Sequence, residues 1–501
     1  MRDDMTRPDR RSVSAADRPR TRRGTTPVPT GPAVDPVRLA CLHALTKVRE
    51  DDAYANLVLP EILDQARLEG RDAGFATALT YGTLRLQGRY DAIIGMCIDR
   101  PLGRVDAVVL DALRLGTHQL LGMRVPTHAA VSTTVDLAAY SAGPGAAGFV
   151  NAVMRRISEE DLDGWLARLR ADAPDALTAL SRTHSHPVWV VKAMRQALKV
   201  NGRPNQGDEL EALLDADNTD PQVTLCARPG LIGVDELAAQ VHAATGEEPR
   251  PGRLSPYALV LSGGDPGRIE AVRDSRAGVE DEASQLVALM LAEAPLEGSD
   301  ARWLDLCAGP GGKAALLGAL AAGRGARLVA NEVAAHRARL VDAAVRALPE
   351  GVVEVRADDG RNIGRQEPGA YDRVLVDAPC SGLGSLRRRP EARWRRTPQD
   401  VAALAELQRE LLASAAAAVR PGGVIAYVTC TPHVLETNLV VRDVTRQVAR
   451  SGITLEPLHA GRLAAAVSPQ APAAADREAL QTWPHLDGAD AMFCALLRRT
   501  V

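Results

Sequence analysis

Two thiols and one carboxyl hold the chemistry of this chain. Asp377-Ala378-Pro379-Cys380-Ser381-Gly382 and Thr429-Cys430-Thr431-Pro432 each follow a short apolar run, Val374 to Val376 and Val424 to Val428. If those runs are neighbouring strands, an acid and two thiols meet in one crevice. Buried cysteine is usually a small hydrophobe. That reading suits Cys41, Cys97, Cys226 and Cys494, but not Cys380 and Cys430, which fall in the loops where ligands bind. A thiolate can attach covalently to a substrate for one step. Carbon 5 of a pyrimidine is too weak a nucleophile to attack a methyl sulfonium. Thiolate addition at carbon 6 makes the ring an enamine that can, and a carboxyl at N3 eases the addition.

These groups need a scaffold. After Ala301, apolar runs at Trp303 to Leu306, Leu328 to Ala330, Val352 to Val355, Val374 to Val376 and Val424 to Val428 mostly alternate with helical stretches at Lys313 to Ala322, Ala335 to Leu348 and Pro398 to Val419. Such alternation builds a parallel, doubly wound sheet that binds ligands beyond its carboxyl edge. The first run leads into Asp305-Leu306-Cys307-Ala308-Gly309-Pro310-Gly311-Gly312-Lys313. Glycines admit a close backbone approach, and the next helix offers free N–H groups. Ala314 after Lys313 breaks the P-loop pattern, whereas Gly309, Gly311 and Ala314 satisfy a dinucleotide fingerprint. An S-adenosylmethionine (SAM) turn fits equally. Glu332 ends the second run at the spacing of a ribose-binding acid. Asp358 and Asp359 end the third, suited to an adenine amino group or to a surface turn. A hydride-transfer enzyme would leave both thiols without a role.

Composition narrows the classes. The chain has 501 residues, 46% hydrophobic and 25% charged, with a formal net charge of −3 and 3% aromatics. This is ordinary globular composition for about three domains. No run reaches the ~18 apolar residues of a membrane span, and the arginine-rich start lacks a secretory apolar core. Seven scattered cysteines without a Cys-x-x-Cys pair indicate reduced thiols in the cytoplasm, not a disulfide framework or a zinc ribbon. His184 and His186 lack a third ligand nearby and read as a packed turn, so no metal is expected. Arg387-Arg388-Arg389-Pro390-Glu391-Ala392-Arg393-Trp394-Arg395-Arg396 follows the acid–thiol loop in a slightly acidic chain, which favours a polyanion, RNA or DNA. Trp394 reads as a base-stacking ring or as a packing ring.

Residues 1–34 read as a disordered basic arm, either a solvated tail or an RNA-steering segment. Residues 35–160 read as a helical bundle, with Gly88, Pro101, Gly103, Pro126, Gly143 and Pro144 as punctuation. Residues 161–298 read as a small α/β connector with strands at Val223 to Cys226 and Ala258 to Leu261, and residues 299–501 as the doubly wound domain.

With these motifs in order, the chain resembles the RNA cytosine-5 methyltransferases of the NOL1/NOP2/Sun type, closest to the bacterial RsmB (Sun/Fmu) branch. The resemblance rests on Asp305 to Lys313, Asp359-Gly360-Arg361, Asp377 to Gly382, and Thr429-Cys430 with Glu436. It extends to Val279 to Gln285, to the tail Asp487 to Phe493, and to a helical bundle similar to the NusB RNA-binding domain. It implies a Rossmann-like methyltransferase with a mostly parallel seven-stranded sheet, SAM as cofactor and 16S ribosomal RNA as partner. It also implies a monomer. It makes Cys430 the nucleophile and Cys380 the residue that assists release, with Asp377 facing the cytosine. Cys307, Ala308, Gly309, Pro310, Gly311, Gly312, Lys313, Glu332, Asp359 and Asp377 would surround SAM. Three positions depart from the family: Gly309 for a common Ala, Glu332 for a frequent Asp, and a changed segment Thr431 to Asn438 that leaves the role of Glu436 open. The first two are expected to be accommodated. Rival readings are a transfer-RNA methyltransferase, or an RNA-binding antitermination or assembly factor with a vestigial methyltransferase fold.

Overall fold

The computed structural model describes residues 34–51, 53–203 and 208–501. The basic arm expected over residues 1–34 lies, but for Val34, outside the described residues. Helices from Pro36–Glu50 to Pro144–Ile157 enclose one apolar core that includes Leu42, Leu59, Leu79, Ile93, Leu113 and Met154. Asp35 caps the first helix through Arg38 N (2.9 Å), with Pro36 at its first position. Gly88, expected to break the chain, instead lies inside the helix Gln87–Met96. A Cβ there would stand 2.3 Å from the Trp394 ring, so glycine serves close packing and Trp394 is a packing residue.

The connector is more helical than its sequence suggested. Helices Leu162–Ala171, Ala176–Thr183, Val188–Val200 and Asp208–Ala216 precede its sheet. His184 is held by Asp215 (2.8 Å) and Glu211 (3.1 Å), and His186 Nδ1 by the His184 carbonyl (2.6 Å), which makes the packed turn expected of them. Strands β1 (Thr224–Ala227), β2 (Arg250–Pro251), β3 (Ala258–Val260) and β4 (Ala277–Val279) form an antiparallel sheet in the order β2-β3-β1-β4.

The third part is a sheet of β5 (Arg302–Asp305), β6 (Arg327–Asn331), β7 (Val353–Arg356), β8 (Tyr371–Asp377), β9 (Val419–Thr429), β10 (Leu455–Leu458), β11 (Leu480–Gln481) and β12 (Phe493–Arg499). Its order is β10-β12-β9-β8-β5-β6-β7, with the two-residue β11 on β12. Strands β5 to β9 are parallel to one another, and β12 runs antiparallel to β9 and to β10. Side chains alternate between faces with period two. Trp303, Leu328, Leu375, Val424 and Ala426 join the core under the helices Glu282–Glu293 and Gly312–Gly323. Leu304, Val329, Val374, Ile425 and Tyr427 face Pro398–Ala418 and Asn438–Ala449. Asp305 pairs with Leu375, and Asp377 with Val428, so the loops after β5, β8 and β9 leave one edge side by side. The strand order reverses between β5 and β8, the position at which open α/β sheets bind ligands.

Candidate active site

At that edge the two sulfurs meet. Cys380 Sγ lies 3.2 Å from Cys430 Sγ, and both residues are partly exposed. Gly384 N donates to the Cys430 carbonyl (2.9 Å), holding the loop after β8 against the end of β9. The thiols differ in acidity. Cys430 is held below the ordinary thiol range, first by the hydrogen bond from Cys380 and further by Lys313 and Arg389, against its own burial. Cys380 is pushed well above that range because it donates that bond and because it is buried. One sulfur is thus the more readily ionised and the other stays protonated.

Glu436, whose role the sequence left open, clamps this loop. It is fully buried, accepting from Ser381 N (2.7 Å), Ser381 Oγ (2.5 Å) and Gln408 Nε2 (3.1 Å). Burial raises its carboxyl above the usual range despite those donors. It ties the segment after Cys430 to the residue after Cys380, a positioning task far from solvent.

A cavity of about 440 Å³ opens beside Cys430, between β4 of the connector and the ends of β5, β8 and β9. Glu280, Asp305, Lys313 and Asp377 face it. Lys313 Nζ lies 2.8 Å from Asp377 Oδ2; burial opposes its charge, but Asp377 and Glu280 outweigh burial and keep it protonated. Burial, then the charge of Asp377, pushes Asp305 up to about 8. Its Oδ1 accepts from Cys307 N (3.3 Å), whereas Oδ2 is buried and has no partner among the described residues. Asp305 and Glu280 were not singled out as site residues from sequence, although both lie within segments the sequence flagged.

The sheet places the remaining residues less uniformly. Ala308, Gly309, Pro310, Gly312 and Lys313 line the cavity, and Ala308 N donates to the Asn331 carbonyl of β6 (2.7 Å). Gly311 has φ +114°, and a Cβ there would stand 2.6 Å from that of Ala344, so this turn must be glycine. Cys307 is a partly buried thiol pushed well above its ordinary range by burial, on the rim of the sheet core. Glu332 accepts from Gly309 N (3.1 Å) and Ala334 N (3.1 Å), beside Arg337. Asp359 caps the helix Gly360–Gln366 through Arg361 N (3.0 Å) and pairs with the Arg361 guanidinium (2.7 Å). Glu332, Asp359 and Cys307 stand on adjoining strand ends but do not line the cavity.

Sequence comparison places this arrangement. Residues 290–498 match the family model "16S rRNA methyltransferase RsmB/F", and residues 35–159 match the NusB family. The chain belongs to the RsmB/F methyltransferase family. A Mycobacterium tuberculosis protein named as a methyltransferase is 49% identical over 95% of this chain and 99% of its own length. Ribosomal RNA small subunit methyltransferase B of Pseudomonas putida is 33% identical over 81% of this chain and 88% of its own. The crystal structure titled PH0851 shares the fold, with a TM-score of 0.74 and 22% identity, covering 94% of this chain and all of that one.

The cofactor of the RsmB/F chain is SAM, which supplies an electrophilic methyl group when bound. The residues present fit it. The orphaned Asp305 oxygen suits an ammonium, the N-terminus of Gly312–Gly323 suits a carboxylate, and Glu332 suits a ribose diol. The two family departures at Gly309 and Glu332 belong together. A Cβ on Gly309 would stand 2.3 Å from Glu332 Oε2, and Glu332 is 3% exposed with little room to retreat. Gly309→Ala is therefore expected to weaken SAM binding about 10- to 100-fold, the scale of losing a hydrogen bond to a charged group. Adding Glu332→Asp, one methylene shorter, should restore part of that loss in titration calorimetry. A double variant no better than Gly309→Ala alone would refute the coupling.

The arginine segment differs from its sequence reading as an RNA-facing run. Arg387 and Arg388 pair with Asp490 (3.1 and 3.2 Å), and Arg388 also with Asp281 (2.7 Å). Arg393 is fully buried, donating to the Ser185 carbonyl (3.0 Å) and Asn218 Oδ1 (2.8 Å), and Arg395 donates to the Val48 carbonyl (2.7 Å). The guanidiniums of Arg388, Arg393 and Arg395 join the methyltransferase fold to the connector and to the helical bundle. Backbone carbonyls carry no sequence signature, so a run of charge cannot reveal that they consume it.

Proposed function

We propose that this protein methylates carbon 5 of a cytosine in 16S ribosomal RNA, with Cys430 bonding transiently to carbon 6. The observation that carries the reading is the pair of sulfurs 3.2 Å apart at a cavity mouth, only one of them shifted toward the thiolate. Cys430, as thiolate, adds to carbon 6 while the Lys313–Asp377 pair interacts with the ring at N3, taking up the charge that develops there. Carbon 5 of the enamine would then take the methyl group that bound SAM supplies, the sulfonium leaving as a neutral thioether. Loss of the carbon-5 proton to water reforms the ring double bond and breaks the sulfur–carbon bond, and Cys380 donates a hydrogen bond to the departing thiolate. Ala308 to Lys313, with Asp305 and Glu332, would hold the methyl donor, and Asp359 stands at the end of the neighbouring strand β7.

The RNA named in the family model and in the name of the Pseudomonas putida relative favours 16S over transfer RNA, as does the NusB match. The reaction belongs in the cytoplasm, where thiols stay reduced, and one chain supplies every residue in this reading. Bisulfite sequencing of total RNA from a deletion strain tests it: one 16S cytosine should lose its protection. Loss confined to transfer RNA would overturn the substrate, and no loss at all would overturn the activity.

A further inference from the structure

Of the arginines that follow the acid–thiol loop, Arg389 is spent differently. It is exposed, it lines the cavity that holds Cys430, and among the described residues no carboxylate pairs with it. Its guanidinium carbon lies 5.2 Å from the centre of the Tyr54 ring, and that of Arg395 lies 5.3 Å from the same ring. The ring orients the guanidinium without neutralising it. Tyr54 belongs to the helical bundle, and the segment is pinned at the same corner by Glu391 Oε1, which accepts from Ala55 N (3.1 Å). A cation is thus held at the mouth of the cavity by a residue more than three hundred positions earlier in the chain.

We infer that Arg389 binds a backbone phosphate of the RNA strand beside the target cytosine, and that Tyr54 of the helical bundle positions it. The inference rests on the RNA reading above and deepens it. A planar guanidinium with no carboxylate in ion-pair contact among the described residues suits a phosphodiester. The neighbouring Arg388, already paired with Asp281 and Asp490, does not offer this. The helical bundle then contributes to RNA binding at the active site, by seating one side chain of the cavity wall.

Salt dependence separates this role from a structural one. Removing one phosphate-binding cation should lower the slope of log binding constant against log salt by about one. Filter binding of 16S RNA from 50 to 400 mM KCl (roughly the range in which phosphate binding is read) should show that change for Arg389→Ala. The expected loss of affinity is about five- to tenfold at the low-salt end. SAM affinity should be unchanged. Arg389→Lys should keep the slope, Tyr54→Phe should behave as wild type, and Tyr54→Ala should raise the KM for RNA with little change in kcat. An unchanged slope in Arg389→Ala, with wild type active on 16S RNA, overturns the inference alone. Weakened SAM binding with an unchanged slope would also overturn it, assigning Arg389 to the carboxylate of the cofactor. A wild-type protein that neither bound nor methylated 16S RNA would overturn the inference and the substrate reading together.

Discussion

Cys430→Ala is expected to abolish methyl transfer to RNA while SAM still binds with wild-type affinity. The sulfur stands at the cavity mouth, beside but not within the glycine turn, so its removal costs the nucleophile and spares the cofactor contacts. Loss of a nucleophile that works as part of a unit is on the order of 10⁴-fold or more in kcat. The cavity walls stay in place, because Gly384 is held by the backbone carbonyl of residue 430 and not by its sulfur. Transfer of labelled methyl, run beside calorimetric SAM binding, reads both halves. Substantial residual activity would remove the covalent mechanism, and lost SAM binding would show that the thiol is structural.

Cys380→Ala should have the next largest effect and the opposite signature: the covalent protein–RNA adduct forms but does not resolve. Without a donor beside the departing sulfur, turnover should fall about 10²- to 10⁴-fold, the range of a positioned acid. A slower-migrating band on a denaturing gel would report the adduct, and its absence with Cys430 intact would end the release role. The same variant tests the acidity argument. Adduct formation needs the thiolate, so its rate should rise with pH and level off above the apparent pKa of Cys430. In the wild type that plateau begins below the ordinary thiol value of 9.0, chiefly because Cys380 donates to the sulfur. Removing Cys380 removes that first cause, so the profile should move to higher pH. A profile that stays put would mean that Lys313 and Arg389, not the second thiol, set the acidity.

Much of the scaffold was legible because its signals are local. The apolar runs that became β5, β6, β8 and β9 are legible because a strand buried on both faces reads as a continuous apolar stretch, whereas the edge strand β7 is half-buried and interrupted by Glu354. The connector helices were also written locally, as Leu210, Leu213 and Leu214 or Val190, Val191, Met194 and Leu198 show, but polar and Gly/Pro-rich surroundings masked their period. Gly88 misled because a glycine has two causes, turn geometry and close approach, and only the position of Trp394 distinguishes them.

What the residue string determined by itself was chemical type and order: an acid and a thiol after one strand, a second thiol after the next, and a glycine turn before a helix. Periodicity and motif spacing carry that much because they act within a few residues of each other. Only the tertiary structure decided that the sulfurs lie 3.2 Å apart with divided acidity, that Lys313 is locked to Asp377, and that Glu280 reaches the cavity from the connector. It also decided that most of the arginine segment binds protein while Arg389 faces the cavity. Distance, burial and competition for partners arise between residues far apart in the chain, and those three quantities set how reactive a group is.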